Sequence, residues 1–182
     1  MGCCFKLKIM NEKIALLGFV EIISSLSCGI VILFMTYKIL KVYGQKRLGL
    51  DHSNLAYNVL IAGVLFSVGF IVSGVIQPIL DSYRLLSSSE IGKSELIFSF
   101  LAYGGLYILI AYISSLIIVF LGMYIYSSMT SLSELKELKD NNIGVAIVLV
   151  AIIFTLSLIT SNGVVLLVES FIPYPDLPMR IR

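Results

Sequence analysis

The chain has 182 residues, of which 58% are apolar and 13% charged, and its formal net charge is +2 at pH 7. Soluble domains carry about 25% charged residues, so this composition excludes a soluble enzyme and a disordered chain. The small net charge excludes a nucleic-acid binder, and a mean hydropathy of +1.00 makes the lipid bilayer the expected partner.

Four apolar runs follow one another along the chain, and each is long enough to cross a ~30 Å hydrocarbon core as a helix. They cover residues 14–37, 55–79, 96–126 and 143–168. Only helices pair all their backbone groups within one segment in lipid, and barrel strands would be ~10 residues of alternating polarity. The sequence therefore predicts an all-α, polytopic membrane protein with a four-helix transmembrane domain over 14–168, flanked by tails over 1–13 and 169–182.

The first run is preceded by Lys6, Lys8 and Lys13, as in a secretory signal peptide. The cleavage-like Ser-Leu-Ser-Cys sequence that ends at Cys28 lies inside an apolar run that continues to Tyr37. We therefore expect this run to be retained as a span.

No motif in the sequence points to catalysis or metal binding. The cysteines are Cys3, Cys4 and Cys28, and the single histidine is His52, which makes neither a disulfide framework nor a structural zinc site. A glycine-rich phosphate loop, a nucleophile elbow and a Ser/His/Asp set are all absent from the sequence. We expect no enzyme activity, no cofactor and no metal.

Four spans place both termini and the connection 80–95 on one side of the membrane, and the connections 38–54 and 127–142 on the other. The first side carries seven Lys and Arg residues and the second carries six, so the positive-inside rule does not decide the orientation by number. Four of those six lie in 38–54. This clustering favours a cytoplasmic location for 38–54 and 127–142, in a cell inner membrane.

An internal similarity appears when the chain is shifted by 88 residues, which places Asn54 on Asn142. The other matched pairs are Ala56 and Gly144, Gly63 and Ala151, Ser67 and Thr155, and Ser73 and Ser161. Because two spans separate equivalent points, the pattern predicts tandem parallel two-helix repeats over about 14–79 and about 96–168. Both asparagines precede an apolar run, where helix capping is an alternative explanation for them.

One stretch of the sequence has a charged turn, then Asn-x-Ala, then a predicted helix rich in Ala and Gly. This stretch is Asp51-His-Ser-Asn-Leu-Ala-Tyr-Asn-Val-Leu-Ile-Ala-Gly63. The pattern recurs in Leu138-Lys-Asp-Asn-Asn-Ile-Gly-Val-Ala146, and the fourth run includes Thr160-Ser-Asn-Gly163. It resembles the YjfL-like bacterial inner-membrane family, a domain-of-unknown-function group built from duplicated two-helix units. The resemblance covers about 14–168 and implies residence in a bacterial inner membrane, with no implied activity.

Three polar residues are candidates for intramembrane function. Glu21 is the charged residue well inside a span, where a carboxylate costs on the order of 2–3 kcal/mol unless it faces a bundle interior or water. Asn162 falls in the same leaflet, because the first helix enters from the side where the fourth exits, and Gln77 lies on that side too. We predict that Glu21 lies near Asn162, with Gln77 above them. Glu21 is then either a carboxylate that handles protons or cations, or a structural glutamate.

Two functions fit these features. Small residues spaced by four occur on every span and let helices approach closely, which favours a small oligomeric channel, transporter or accessory subunit, as a homo-oligomer or in a membrane complex. Leucines three apart in 127–142 predict a short interfacial helix, or else a docking strip. The alternative function is a non-conducting scaffold or sensor that recruits a soluble protein partner through 38–54 and 127–142.

Overall fold

The computed structural model describes residues 2–49, 54–88, 93–130 and 134–171, and all regular structure in these ranges is α-helical. The all-α prediction is therefore confirmed. The helices are α1 (Gly2–Leu48), α2 (Leu55–Gly74), α3 (Ile76–Ser88), α4 (Lys93–Met129), α5 (Glu134–Lys139) and α6 (Ile143–Glu169).

Four stretches of the described chain are long and apolar enough to cross a membrane: Ser25–Lys46, Leu55–Ser82, Leu101–Met129 and Ile143–Glu169. These stretches confirm a multi-pass, four-helix membrane protein. The second stretch combines α2 with the first part of α3, and the third and fourth overlap the predicted runs closely. The tandem repeat stays a prediction.

The first helix extends beyond the predicted span in both directions, because residues 2–13 and 38–48 are helical and belong to α1. The helix ends where Gly49 adopts a positive φ of 62°, a conformation that favours glycine after a helix C-terminus. Two contacts hold the end of α1 against α2. The Tyr57 hydroxyl donates to the Leu40 carbonyl at 2.6 Å, and the Tyr57 ring covers Gly44. The predicted connection 38–54 is therefore mostly helix.

A kink divides the second span at Val75, between α2 and α3. Pro78 has no N–H to donate to the Gly74 carbonyl, so the regular hydrogen-bond ladder is interrupted there. The Val75 N–H instead donates to the Val72 carbonyl at 3.1 Å, and the ladder resumes with Ile79 donating to Val75 at 3.3 Å. Helix α3 then covers residues 80–88, which the sequence assigned to a connection.

The second helix is central in the bundle, since α1, α4 and α6 all pack against it. Its contact with α6 is the most extensive, and there Gly63 faces Val150 so closely that no Cβ would fit. A different face of α2 meets α1, where Gly69 lies beside Leu33. Because α6 and α1 pack on different faces of α2 and make few contacts with each other, the second helix lies between the first span and the last.

Helix α5 confirms the short helix predicted within 127–142. Its residue Leu138 is only 1% exposed and packs into the protein core. The expectation that this leucine side chain lies in the membrane interface is therefore wrong for Leu138, because it is buried among the core residues. The side chains of Leu132 and Leu135 lie outside the described residues.

Candidate functional site

Asn54 and Asn142 occupy equivalent positions at the starts of α2 and α6. Asn54 has φ −72° and ψ 106°, and its side chain accepts from the Tyr57 N–H at 2.8 Å. Asn142 has φ −76° and ψ 95°, and its side chain accepts from the Val145 N–H at 3.3 Å. Both are N-cap residues in the same backbone conformation, which satisfies one free N–H in the first turn of each helix.

A further asparagine, Asn141, joins these two helix starts, and sequence reasoning did not single it out. Its φ is 58°, and the N–H groups of Asn141 and Asn142 donate to the carbonyls of Leu138 and Glu137 at 3.2 and 3.0 Å. This is a Schellman ending of α5, with asparagine at the position that usually favours glycine. The signal in the sequence is an asparagine directly after a short helical segment, since asparagine tolerates a positive φ better than most residues.

Two cross-links from these asparagines hold the α2 and α6 starts together. The Asn54 side-chain N–H₂ donates to the Leu138 carbonyl at 2.8 Å, and the Asn141 side-chain oxygen accepts from the Ala56 N–H at 3.0 Å. The two helices therefore begin at the same end of the bundle and run parallel. Further along, the Phe154 ring lies 5.0 Å from the Phe66 ring between centroids.

The three predicted intramembrane residues are not brought together by the described structure. Asn162 is exposed on α6, and Gln77 is exposed on α3. Glu21 belongs to α1, but its side chain lies outside the described residues. Since α1 and α6 pack on different faces of α2, an equal depth in the membrane does not by itself make Glu21 a neighbour of Asn162, and their pairing stays a prediction.

One face of α6 is exposed along much of the helix. We call it the outer face, and it consists of the exposed residues Ala151, Thr155, Ile159, Asn162 and Leu166. The Thr155 hydroxyl donates to the Ala151 carbonyl of its own helix at 2.8 Å. Among the described residues, none hydrogen-bonds the Asn162 side chain. The outer face therefore presents one unpaired amide in an otherwise apolar strip.

The interior of the described chain is almost entirely apolar. Its buried polar side chains are Thr36, Ser67, Ser82, Ser115 and Ser157. Most of these hydroxyls donate to a carbonyl in their own helix, and the Thr36 hydroxyl oxygen also lies 3.3 Å from the Tyr112 hydroxyl, which can donate to it. Within the described ranges, Ser67 Oγ is the buried oxygen without a partner. One chain thus offers no continuous polar path through its described interior.

The described residues also bring no three His, Cys, Asp or Glu side chains together in a way that would hold a metal ion. Residues 96–172 match the model described as Domain of Unknown Function (DUF350). The matched range begins in α4 and includes α5 and α6, which is one pair of membrane-spanning helices. No curated protein and no solved structure matches the chain.

Proposed function

We propose that this protein works as a homo-oligomer in a bacterial inner membrane, as a small channel, a transporter or the accessory subunit of one. The observation that carries the proposal is Asn162, an exposed amide without a partner among the described residues of its own chain. It lies seven residues before the end of the fourth span at Glu169, or about 10 Å along the helix axis, so it is within the hydrocarbon region.

Hydrogen bonding of an amide that faces lipid is strongly favoured, because burying an amide without a hydrogen bond costs roughly 2–7 kcal/mol. A second copy of the chain supplies a matching group, since an amide both donates and accepts and two Asn162 side chains can pair across a twofold axis. Ala151 and Thr155 are small residues on the same outer face, and they let two α6 helices approach closely in that part of it. The permeation path then lies between copies, because the described interior of one chain is almost entirely apolar.

We also infer that the chain contains two copies of the unit that matches at 96–172, and that the first half is the diverged copy, as in the YjfL-like arrangement. The equal cap geometry of Asn54 and Asn142 supports this inference. The parallel packing of α2 and α6 supports it too, because helices related by an axis along the membrane normal run in the same direction. In this arrangement Glu21 is the carboxylate that we propose to handle protons.

The alternative function is a non-conducting scaffold or sensor. It is favoured by the asparagine cross-links, because these hold α5 and the starts of α2 and α6 in one surface at one end of the bundle. The exposed residues of that surface include Lys136, Lys139 and Asp140, which suit a soluble protein partner.

Flux measurements test the proposal. We expect purified protein in liposomes to pass protons or small cations, and Asn162→Leu to weaken self-association about tenfold, because interhelical side-chain hydrogen bonds contribute ~1–2 kcal/mol in model peptides. Flux should fall with association, and Glu21→Gln should remove proton flux while association is kept. Gln77→Leu, which removes another exposed amide, is the matched control for association.

Unchanged association in Asn162→Leu would contradict the proposed interface. A protein that passes no ion, and that captures a soluble protein only while residues 134–140 are present, would instead support the scaffold function.

The orientation is tested separately. In a variant with Cys3, Cys4 and Cys28 replaced by Ser, we expect a membrane-impermeant maleimide to label Ser88→Cys in intact cells and Asp140→Cys only after permeabilisation. Labelling in the reverse order would contradict the proposed cytoplasmic side, and labelling of both residues from one side would contradict four spans.

A further inference from the structure

A cavity of about 450 Å³ lies between α1, the kink at α2 and α3, and the first part of α4. It is partly enclosed, and four glycines from three helices line it: Gly29, Gly69, Gly104 and Gly105. Its volume is within the range of ~300–1,000 Å³ that is typical of small-molecule sites in proteins.

The glycines of this cavity differ from those that allow close helix contact. A Cβ on Gly63 would overlap Val150, and a Cβ on Gly122 would lie 2.7 Å from a side-chain atom of Ile153. In contrast, a Cβ on Gly29 or Gly105 would meet no atom within 4 Å. The missing side chains around the cavity therefore leave space that the protein does not use for its own packing.

The described lining of the cavity is about as long as one membrane leaflet is deep. Along α1 it includes residues from Ser25 to Leu33, which are eight residues apart, or about 12 Å along the helix. One leaflet contributes about half of the ~30 Å hydrocarbon core, so a single acyl chain along the membrane normal matches this length.

Among the residues that the structure describes, the lining contains no charged side chain. Its polar groups are the hydroxyls of Ser25 and Ser73 and the thiol of Cys28, and the Ser73 hydroxyl already donates to the Phe70 carbonyl at 2.7 Å. Apolar cavities of this kind stay dry, and an empty one forfeits the dispersion contacts of every atom around it. A hydrocarbon chain restores those contacts, and the surrounding bilayer supplies one at every position along the opening.

We propose that this cavity binds one acyl chain of a membrane phospholipid from the leaflet in which α3 ends and α4 begins. The length of the described lining and the absence of charge among its described residues match a single chain that lies along the membrane normal. The site is independent of the proposed oligomer, because α6 contributes no residue to its lining.

Photolabelling tests this site. The protein is reconstituted in phosphatidylcholine vesicles that contain a phospholipid with a diazirine in one acyl chain, and labelled peptides are mapped by mass spectrometry after irradiation. We expect dense labelling of the segments around Cys28 and Gly104. Gly104→Leu and Gly29→Leu each fill the cavity from a different helix, and each should lose most of that labelling while the exposed residues Ile117 and Phe120 stay labelled.

Gly163→Leu is the matched control, because Gly163 lies on α6 and a Cβ there also meets no atom within 4 Å. It should leave the cavity labelling unchanged. Helix content and thermal unfolding establish that each variant folds. Equal labelling of the cavity segments in wild-type protein and in the two filled variants would overturn the proposal. So would the absence of label from these segments in the wild type, which is the result expected if a helix of a second copy fills the space.

Discussion

Replacing Gly63 by leucine is expected to destabilise the folded bundle by about 3 kcal/mol or more, because overpacking a tight contact typically costs 1–3 kcal/mol for far smaller changes. Gly63 lies in the contact between α2 and α6, the most extensive in the chain, and its missing Cβ is the space that Val150 occupies. Neither helix can retreat easily, because their starts are held together by the asparagine cross-links. The free energy of unfolding in detergent micelles, from thermal or SDS titration followed by circular dichroism, measures the effect.

A compensating second substitution shows whether the contact between Gly63 and Val150 causes this destabilisation. Gly63→Ala should also destabilise the fold, and combining it with Val150→Ala should recover part of the loss, since the two Val150 methyl groups are the atoms nearest to the new Cβ. Gly163→Ala is the control and should be neutral or stabilising, because an exposed helical glycine loses up to ~1 kcal/mol relative to alanine. If Gly63→Ala matches Gly163→Ala, the α2–α6 contact is looser than described.

Replacing Asn54 by alanine is expected to cost about 2 kcal/mol, and replacing Asn142 by alanine about half of that. Both changes remove an N-cap. Asn54→Ala also removes the donor for the Leu138 carbonyl, a partly buried contact between two separate parts of the chain. The second hydrogen bond of Asn142 goes instead to the exposed Glu137 carboxylate, where water can replace it.

Asn54→Ser separates the two contributions, because serine is a good cap but its short side chain does not reach the Leu138 carbonyl. Its loss of unfolding free energy should fall between those of wild type and Asn54→Ala. Equal losses in Asn54→Ala and Asn142→Ala would mean that the cross-link between α2 and α5 adds nothing beyond capping.

Several features were predictable from the sequence because their causes are local. A run of apolar residues becomes a membrane helix through its own length and backbone hydrogen bonds, so the second, third and fourth spans were predicted within a few residues. The role of Asn54 at a helix start likewise depends on a side chain and an N–H group three residues away. The ends of α1 were less predictable, since the helix continues past its apolar run to Gly49, where the end of α1 meets Tyr57.

The neighbours of each helix were decided only by tertiary structure. A helix that is apolar all round has no polar stripe to mark its outward face, because lipid and protein interior are equally apolar. The depth of each residue in the membrane could therefore be predicted from the sequence, and this depth placed Glu21 and Asn162 in one leaflet. The direction in which a side chain points around its helix axis could not be predicted in this way. The packing of α1 and α6 on different faces of α2 leaves Asn162 exposed on the outer face of α6, and the spacing of the α1, α3 and α4 helices opens the glycine-lined cavity.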